Sequence, residues 1–429
     1  MVMTKKGLVL GTTAVALSTV AVTGAGIHLS QSQALIQSGP KETIDEVWQI
    51  INHQYVDTTF NNTDWSKVRQ QYIKNASYKG QEDAYKAIRE MLGKLGDPYT
   101  RFMNPEEFKN MQIDTSGELV GVGIQISADK KTNRLVVISP IEDTPAAEAG
   151  ILAQDLIIQI DGTDTKGMDV NDAVEKIRGE QGSQVTLTIE RNGKQKDYDI
   201  TREKIEIHPV KASLKDTELG KVGYIRLTTF NEYAARDMQK AIKEQEQANV
   251  AGYILDLRFN PGGLLYSSID IARMWINQGT IVSTVDRQGI SDRESATNKA
   301  LTDKPLVVLV NDGSASASEI LSGALRDHER ATLLGTKTFG KGLVQSVRPL
   351  GDGSGLAVTI AKYLTPNGTD INKHGIVPDV VVKLNPAQLQ KLYGGDLFGT
   401  KEDLQFVKAL DVLNNNIQAQ KSAEPQAVK

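Results

Sequence analysis

The sequence contains no cysteine among its 429 residues. This absence excludes thiol nucleophiles, disulfides and cysteine-ligated zinc, so covalent chemistry must use oxygen or nitrogen atoms. A basic surface charge is missing as well, because 53 acidic residues exceed 49 Lys and Arg residues and leave a net charge of −4. Nucleic acid is therefore not an expected partner.

Histidine is scarce, and no local motif joins a histidine to a serine. The five histidines are scattered along the chain as His28, His53, His208, His328 and His374. An exported hydrolase that pairs a serine with a distant histidine, on a non-peptide substrate, stays open as an alternative.

The N-terminus resembles an export signal. Lys5 and Lys6 precede an uncharged run, residues 7–27, that is rich in Ala, Val, Leu and Ile. The run is longer than a usual signal core, but its Thr, Ser and Gly residues weaken a membrane span. Ser-Gln-Ala at 32–34 offers a cleavage site, so residues 1–34 are predicted to be a cleaved signal, with a retained anchor or an irrelevant apolar tail as alternatives. As a signal or an anchor, the segment places the body in a periplasm or an equivalent lumen, and an anchor would also attach it to the membrane.

Hydrophobic periodicity divides the rest of the chain into four regions. Residues 41–112 carry apolar side chains at helical spacing and predict a small helical region. Residues 113–205 are rich in short strands, whereas 206–385 alternate strands with helices and predict an α/β core. Residues 386–429 are predicted to hold a last helix at 406–413 and a disordered tail. The predicted fold class is α/β multidomain.

The strand-rich region resembles a PDZ domain. An Asn-Gly pair at 192–193 predicts a hairpin, and a helix is predicted at 170–178. The motifs of the resemblance are the strand opening Gly121-Val122-Gly123-Ile124, TPAAEAGI at 144–151 and DLIIQIDG at 155–162.

The PDZ resemblance implies that the region binds a C-terminal peptide. Such a peptide adds as a strand beside the one that begins at Ile124, and its carboxylate meets the amides of the Gly121-to-Gly123 loop. The alternative is that these glycines only turn the chain. Arg178, at the end of the helix beside the groove, is a candidate carboxylate sensor or else a solvated helix-end arginine.

Two strand-to-helix turns in the α/β region are candidate parts of a reaction centre. The strand 253–257 leads into Asn-Pro-Gly-Gly at 260–263. The backbone amides of this turn can bind a phosphate or an oxyanion, and the alternative is a plain turn with no binding role. The strand 305–310 leads into SASASE at 314–319. A serine hydroxyl at such a turn can be an exposed nucleophile, although serines also favour helix caps.

The segment GTKTFGKG at 335–342 lacks one feature of a phosphate-binding loop. Gly342 stands where such loops carry Ser or Thr, and the following residues alternate like a strand rather than a helix. We therefore expect no nucleotide here. Lys341 can instead be a general base if burial lowers its pKa toward neutrality.

Together these motifs resemble the carboxyl-terminal processing proteases, also called tail-specific proteases, which use a Ser/Lys site. The resemblance rests on Ser316 within SASASE, Lys341 within TFGKG, and Gln345 shortly after it. It covers most of the chain through DPYTRF at 97–102, GYIRLTTF at 223–230, LDLRFNPGG at 255–263 and GIVPDVVV at 375–382.

The resemblance implies a role for each matching residue. Ser316 would attack the peptide carbonyl, Lys341 would take and later return the proton, and Gln345 would orient Lys341. The amides of Gly262 and Ala317 would form the oxyanion hole. Glu319 has an accessory role in some family members, and we interpret it here as a helix residue.

The implied substrates are the free C-terminal tails of exported or membrane proteins, and the implied chemistry needs no metal or other cofactor. The main alternative is a non-catalytic adaptor, in which the PDZ region binds tails but Ser316 and Lys341 are not aligned. Turnover would separate the protease from the adaptor.

Overall fold

The computed structural model describes residues 39–129, 133–218, 220–394 and 397–423. The predicted signal and its cleavage site lie outside these residues. Among the residues described, every helix is too short or too polar to cross a bilayer.

The described helices follow one another in chain order. They are α1 (Pro40–Gln54), α2 (Trp65–Arg69), α3 (Gln81–Gly93), α4 (Pro105–Ser116), α5 (Pro145–Glu148), α6 (Val170–Ile177), α7 (Ala234–Gln247), α8 (Leu265–Arg273), α9 (Ala317–Asp327), α10 (Pro386–Gly394) and α11 (Leu404–Ala423). A π-helical turn, Gln70–Lys74, follows α2.

The strands belong to several sheets. They are β1 (Arg101–Met103), β2 (Glu118–Gly121), β3 (Ile124–Asp129), β4 (Arg134–Pro140), β5 (Leu156–Ile160), β6 (Thr163–Asp164), β7 (Gln184–Arg191), β8 (Lys194–Thr201), β9 (Glu203–Glu206), β10 (Val210–Thr217), β11 (Gly220–Leu227), β12 (Tyr253–Asp256), β13 (Thr280–Asp286), β14 (Gly289–Ser295), β15 (Leu306–Val310), β16 (Thr332–Gly335), β17 (Leu343–Pro349), β18 (Gly355–Leu364) and β19 (Val380–Val381).

The first compact unit comprises residues 39–103 and 343–361. Helices α1 and α3 bury apolar residues at helical spacing, such as Ile44, Val47 and Ile88, in one hydrophobic cluster. Strand β1 pairs antiparallel with β18 and brings Phe102 into the same cluster. The unit therefore combines the N-terminal helices with a strand pair from much later in the chain.

The second compact unit comprises the other described residues and contains a small antiparallel sheet. Its strand order is β3-β4-β5-β7-β8, with α6 packed against β3 and β5. Asn192 and Gly193 both have positive φ and join β7 to β8 in a two-residue hairpin, as the sequence predicted. Helix α6 ends at Ile177, one residue earlier than predicted, because Arg178 is extended.

A six-stranded sheet of order β10-β11-β12-β15-β16-β19 forms the α/β core of this unit. All neighbouring pairs except β10 with β11 are parallel. Every residue of β12 and β15 is buried, as expected of central strands covered on both faces. The carboxyl ends of β12 and β15 are therefore neighbours, and loops that follow them meet at one sheet edge.

The last helix is longer than the sequence analysis predicted. Helix α11 runs from Leu404 to Ala423, and its apolar face packs Phe406, Ala409, Leu413 and Ile417 against the central sheet. Burial of Ile417 continues the apolar stripe beyond 413 and explains the extra turns. The end of the chain was expected to be disordered, but it is helical as far as Ala423. Residues 424–429 are not among the described residues.

Candidate active site

The three serines of the turn after β15 occupy different environments. The hydroxyl of Ser314 is fully buried and donates to Leu257 O at 2.8 Å. That of Ser318 is also buried and donates to Asn260 O at 2.9 Å. Ser316 alone of the three is partly exposed. The Ser314 and Ser318 hydroxyls therefore have buried structural partners, whereas Ser316 is the N-cap residue of α9 and is partly open to solvent.

The backbone of Ser316 is strained. Its φ of 54° and ψ of −114° lie outside the usual regions for a residue with a side chain, at a cost of about 1–3 kcal/mol. Ser316 directly precedes α9, so its side chain stands at a helix N-terminus, where developing negative charge is favoured. Such a turn exposes a hydroxyl at the carboxyl edge of the sheet.

The Asn-Pro-Gly-Gly turn after β12 lies directly against Ser316. Gly262 has a φ of 103°, and a Cβ atom there would come within 2.9 Å of Ser316 Cβ and 3.0 Å of Ala317 N. Only glycine fits this position. The Gly262 amide donates to Asn260 Oδ1 at 2.9 Å. The structure thus brings together Gly262, Ala317 and Ser316, the residues predicted to form the nucleophile and oxyanion hole.

The loop that carries Lys341 is tied to Ser316 by a buried carboxylate. Glu319 is fully buried, and its Oε2 accepts from the amides of Ser316 at 3.0 Å and Lys341 at 2.9 Å. Its Oε1 accepts from Gly340 N at 2.8 Å and Thr338 Oγ1 at 2.5 Å. Four hydrogen bonds satisfy the carboxylate. Glu319 is therefore more than a helix residue, because it connects the two candidate catalytic segments.

Tyr363 connects the same two segments through their carbonyl oxygens. Its fully buried hydroxyl donates to Lys341 O and lies 3.2 Å from Ser316 O. Lys341 itself is partly buried. The structure thus holds the main chains of Ser316 and Lys341 close together. The strand predicted after Gly342 is confirmed as β17, whereas a phosphate-binding loop continues as a helix at this point.

Gln345 lies on β17, in the first unit. Its Nε2 donates to Thr359 Oγ1 at 3.4 Å, and the Thr359 hydroxyl donates to Asp97 Oδ2 at 2.6 Å. The orientation of Lys341 by Gln345 stays a prediction.

A buried ion-pair network supports the turn after β12. Arg258 donates to Asp256 and also to Asp403, which precedes α11, and all three side chains are fully buried. Burial acts to raise the pKa of Asp256, but the Arg258 charge outweighs it and holds that pKa below its ordinary value. The network anchors the beginning of α11 beside the carboxyl end of β12.

Two histidines have partners away from Ser316. His328 Nε2 lies 2.7 Å from Thr280 O, and His208 Nδ1 lies 2.8 Å from Asp237 Oδ2. Neither contact involves a serine of the turn after β15.

The PDZ-like sheet presents an open edge. Strand β3, which begins at Ile124, pairs with β4 on one side and is terminal in the sheet order. Gly123 has a φ of 80°, and a Cβ there would collide with Thr144. The preceding Gly121 and Val122 complete the predicted carboxylate loop.

Arg178 lies beside this loop and contacts α4. Its Nη1 donates to Asn110 Oδ1 at 2.9 Å, and its Cγ would be 3.9 Å from a Cβ at Gly121. Burial raises the pKa of Asp114, on the same helix, although the Arg178 charge opposes this effect. A cavity of about 370 Å³ is lined by Arg178 together with Leu119 and Val120. Arg178 is partly buried, and its role as a carboxylate sensor stays a prediction.

Comparison with known proteins decides the family. Residues 221–382 match the model of peptidase family S41, and residues 136–191 match that of the PDZ domain. A carboxyl-terminal-processing protease from Synechocystis sp. is 44% identical over 398 residues, which cover 92% of each chain. The chain belongs to the carboxyl-terminal-processing protease family. It is therefore a serine peptidase with a PDZ domain.

Two further members of this processing-protease family support the assignment. A carboxyl-terminal-processing protease from Picosynechococcus sp. is 45% identical and covers 90% of this chain and 92% of its own. The solved structure titled photosystem II D1 C-terminal processing protease is 38% identical, with a TM-score of 0.56, and covers 86% of this chain and 99% of that one.

Sequence reasoning underrated Glu319 and missed Tyr363 in this processing protease. The spacing of Ser316 and Glu319 is that of a helix capping box and was an available signal. The sequence contains no signal for the role of Tyr363, because its hydroxyl contacts main-chain oxygens of two segments that are distant in sequence.

Proposed function

We propose that the chain is an endopeptidase that cleaves exported or membrane proteins near their free C-terminus through a Ser316/Lys341 dyad. The observation that carries the proposal is the shared attachment of the Ser316 and Lys341 main chains to Glu319 and Tyr363. A partly exposed, strained serine whose main chain is tied to that of a lysine suits nucleophilic catalysis.

The reaction proceeds in two proton-transfer stages. The neutral Lys341 amine takes the Ser316 hydroxyl proton as the oxygen bonds to the peptide carbonyl carbon. The resulting ammonium gives this proton to the leaving amine, and the C–N bond breaks to leave an acyl-enzyme on Ser316. Water then attacks the ester, passes its proton to Lys341, and Ser316 recovers a proton as the new carboxylate leaves.

The oxyanion of each tetrahedral intermediate binds the amides of Gly262 and Ala317. The Gly262 amide donates to Asn260 Oδ1 in the structure, so it exchanges this partner for the substrate oxygen. The Gly262 φ of 103° supports this proposal, since it allows the turn to lie against the nucleophile.

Gln345 orients the Lys341 amine by a hydrogen bond. Because the Thr359 hydroxyl donates to Asp97, its oxygen accepts from the Gln345 NH₂ group. This arrangement leaves the Gln345 carbonyl oxygen as the acceptor for Lys341.

The PDZ domain captures the substrate tail. A peptide adds to the free edge of β3, and its terminal carboxylate meets the amides of the loop Gly121-Val122-Gly123. Arg178 exchanges Asn110 for this carboxylate and so reports that a tail is bound. This recognition gives the enzyme its preference for free C-termini.

We also propose that residues 1–34 export the chain to a periplasm or an equivalent lumen, either as a cleaved signal or as an anchor through 7–27. The boundaries of the N-terminal region (41–112), PDZ domain (113–205), core (206–385) and C-terminal segment (386–429) are proposed likewise. Intact-mass measurement of exported protein would show removal of 34 residues if the signal is cleaved.

Cleavage of paired peptides tests the function. Wild type, Lys341→Ala and Lys337→Ala are incubated near pH 8 with an apolar-tailed peptide whose C-terminus is free or amidated, and mass spectrometry reads the products. Lys337 is an exposed lysine of the same loop and serves as the matched control. We expect wild type and Lys337→Ala to cleave the free-acid peptide, and Lys341→Ala to cleave neither peptide.

Either of two results would contradict the proposal. Wild-type rates for Lys341→Ala would remove the lysine from the mechanism. Equal cleavage of free and amidated peptides would remove tail recognition, while leaving the peptidase activity in place.

A further inference from the structure

The main chains of Ser316 and Lys341 are held at both ends by the same two side chains. The carboxylate of Glu319 accepts from both amide groups, at 3.0 and 2.9 Å. The hydroxyl of Tyr363 contacts both carbonyl oxygens. Two segments that are far apart in sequence are thus joined by one acceptor and one donor.

The Ser316 carbonyl has other donors besides Tyr363. Ser316 O accepts from Glu319 N at 2.8 Å and Ile320 N at 3.0 Å, as the first turn of α9 requires. The Tyr363 hydroxyl is therefore not needed to satisfy this oxygen. Its position between the two carbonyls fixes their separation, and its single proton is directed to Lys341 O.

Tyr363 is itself fixed in place. It is fully buried near the end of β18, and its amide donates to Gly342 O at 3.1 Å. A buried phenol on a strand has few rotamers available, so its hydroxyl is a rigid support. Phenylalanine would fill the same space without the hydrogen bonds.

We propose that Tyr363 is a positioning residue for the Ser/Lys dyad. Its hydroxyl sets the separation of the two main chains and thereby the approach of Lys341 Nζ to Ser316 Oγ. The inference rests on the proposed function, because it concerns the geometry of that dyad. Glu319 fixes the amide side of the same arrangement, whereas Tyr363 fixes the carbonyl side.

Tyr363→Phe in the full chain tests this role. We expect kcat for a free-acid peptide to fall roughly 10- to 100-fold, because small displacements of reacting groups cost rates of this order. KM should stay within about twofold, since the proposed role concerns the separation of the dyad and not the PDZ loop that is proposed to bind the tail. A kcat within twofold of wild type would overturn the proposal.

Tyr253→Phe is the matched control for the loss of a buried hydroxyl. Tyr253 is fully buried in the same unit and donates to Glu246 Oε1 at 2.6 Å, but it contacts neither candidate catalytic segment. We expect it to lower the melting temperature and leave kcat unchanged. An equal fall of kcat in both variants would show a general loss of stability and overturn the positioning role.

A stabilised background keeps the test decisive if Tyr363→Phe folds poorly. Glu329, just after α9, is a non-glycine residue with a φ of 52°, and Glu329→Gly should relieve its strain. Both tyrosine variants are then compared in that background. Lys341→Ala is assayed beside these variants. Activity of Lys341→Ala would contradict the dyad itself. An inactive Lys341→Ala together with a fully active Tyr363→Phe would overturn only the role of Tyr363.

Discussion

At the scale of single residues, the site depends on backbone conformations that few side chains tolerate. Ser316 has a φ of 54° and Gly262 a φ of 103°, and the two residues are in contact. Strain of this kind persists only where surrounding contacts impose it. Here Glu319 and Tyr363 supply those contacts.

Substitution of Gly262 tests how tightly the turn must approach the nucleophile. We expect Gly262→Ala to lower kcat/KM by at least about 100-fold, because its Cβ would approach Ser316 Cβ and displace the amides from the oxyanion position. Gly182→Ala is the control, since Gly182 has a φ of 84° but open space around a Cβ. It should lose about 1–2 kcal/mol of stability and keep its kcat. Normal activity of Gly262→Ala would exclude this amide from the oxyanion hole.

The rate of cleavage should depend on pH through the proposed base. Only the neutral amine of Lys341 can accept the serine proton, so kcat/KM should rise as pH increases from 6. The measurement is a pH profile with a free-acid peptide, under conditions in which chemistry limits the rate. A flat profile between about pH 6 and 10 would argue against a lysine base.

The candidate dyad residues could be chosen from sequence motifs, whereas the contacts of Tyr363 with both segments could not be predicted. Ser316 and Lys341 lie in compact motifs that read directly from the sequence. Tyr363 acts on main-chain oxygens of both segments, and such contacts leave no spacing pattern. The hydrogen bond from Gly262 N to Asn260 Oδ1 could not be predicted from the sequence either, because it depends on the conformation of one turn.

At the scale of elements, a partly buried ion pair stabilises the PDZ sheet. Asp155 is 2% exposed and accepts from Arg191 Nε and Nη2, both at 2.6 Å, which joins the start of β5 to the end of β7. Burial acts to raise the pKa of Asp155, but the Arg191 hydrogen bonds prevail and hold that pKa below its ordinary value. Because the pKa of Asp155 is lower in the folded state, its ionised carboxylate stabilises the fold at pH values above the unfolded-state pKa. This stabilisation is lost as pH falls through the folded-state pKa.

Asp155→Asn should therefore destabilise the PDZ sheet in a pH-dependent way. We expect a loss of about 2–3 kcal/mol near pH 7, less than for a fully buried pair because Arg191 is partly exposed. Hydrogen exchange of β5 and β7 amides measures the loss, which should shrink as pH falls below about 4. Asp199→Asn, at an exposed carboxylate on β8, should change exchange little. A loss that is independent of pH would contradict the ion-pair explanation.

Element types were more predictable than element ends. The hairpin at Asn192-Gly193 and the buried strands follow from turn chemistry and hydrophobic runs. The ends of α6 and α11 could not be predicted from these patterns, because tertiary packing sets where a helix stops. Burial of Ile417 extended α11, while the extended conformation of Arg178 shortened α6.

At the scale of the whole molecule, one chain combines a PDZ domain with the candidate segments of a serine peptidase site. Both lie in the second compact unit, and β9 of the PDZ region pairs with β2 before the chain enters β10. The pairing of β3 to β8 in one sheet, and of β10, β11, β12, β15, β16 and β19 in another, could be predicted only in outline, since sequence does not fix strand order.

Arg178 tests the connection between tail binding and turnover. We expect Arg178→Ala to raise KM for free-acid peptides roughly 10-fold, because a charge-assisted hydrogen bond to the carboxylate is lost. Lys176→Ala, on the exposed last turn of α6, should leave KM unchanged. An unchanged KM in Arg178→Ala, measured by steady-state kinetics, would exclude a carboxylate contact.

The most direct test of the account is to trap the acyl-enzyme. Wild type is mixed with a free-acid substrate, quenched in acid during the first turnover, digested and read by mass spectrometry. The account predicts a mass increase equal to the N-terminal part of the substrate, located on Ser316 and absent from Ser316→Ala. An acyl group on any other residue, or rapid turnover by Ser316→Ala, would contradict it.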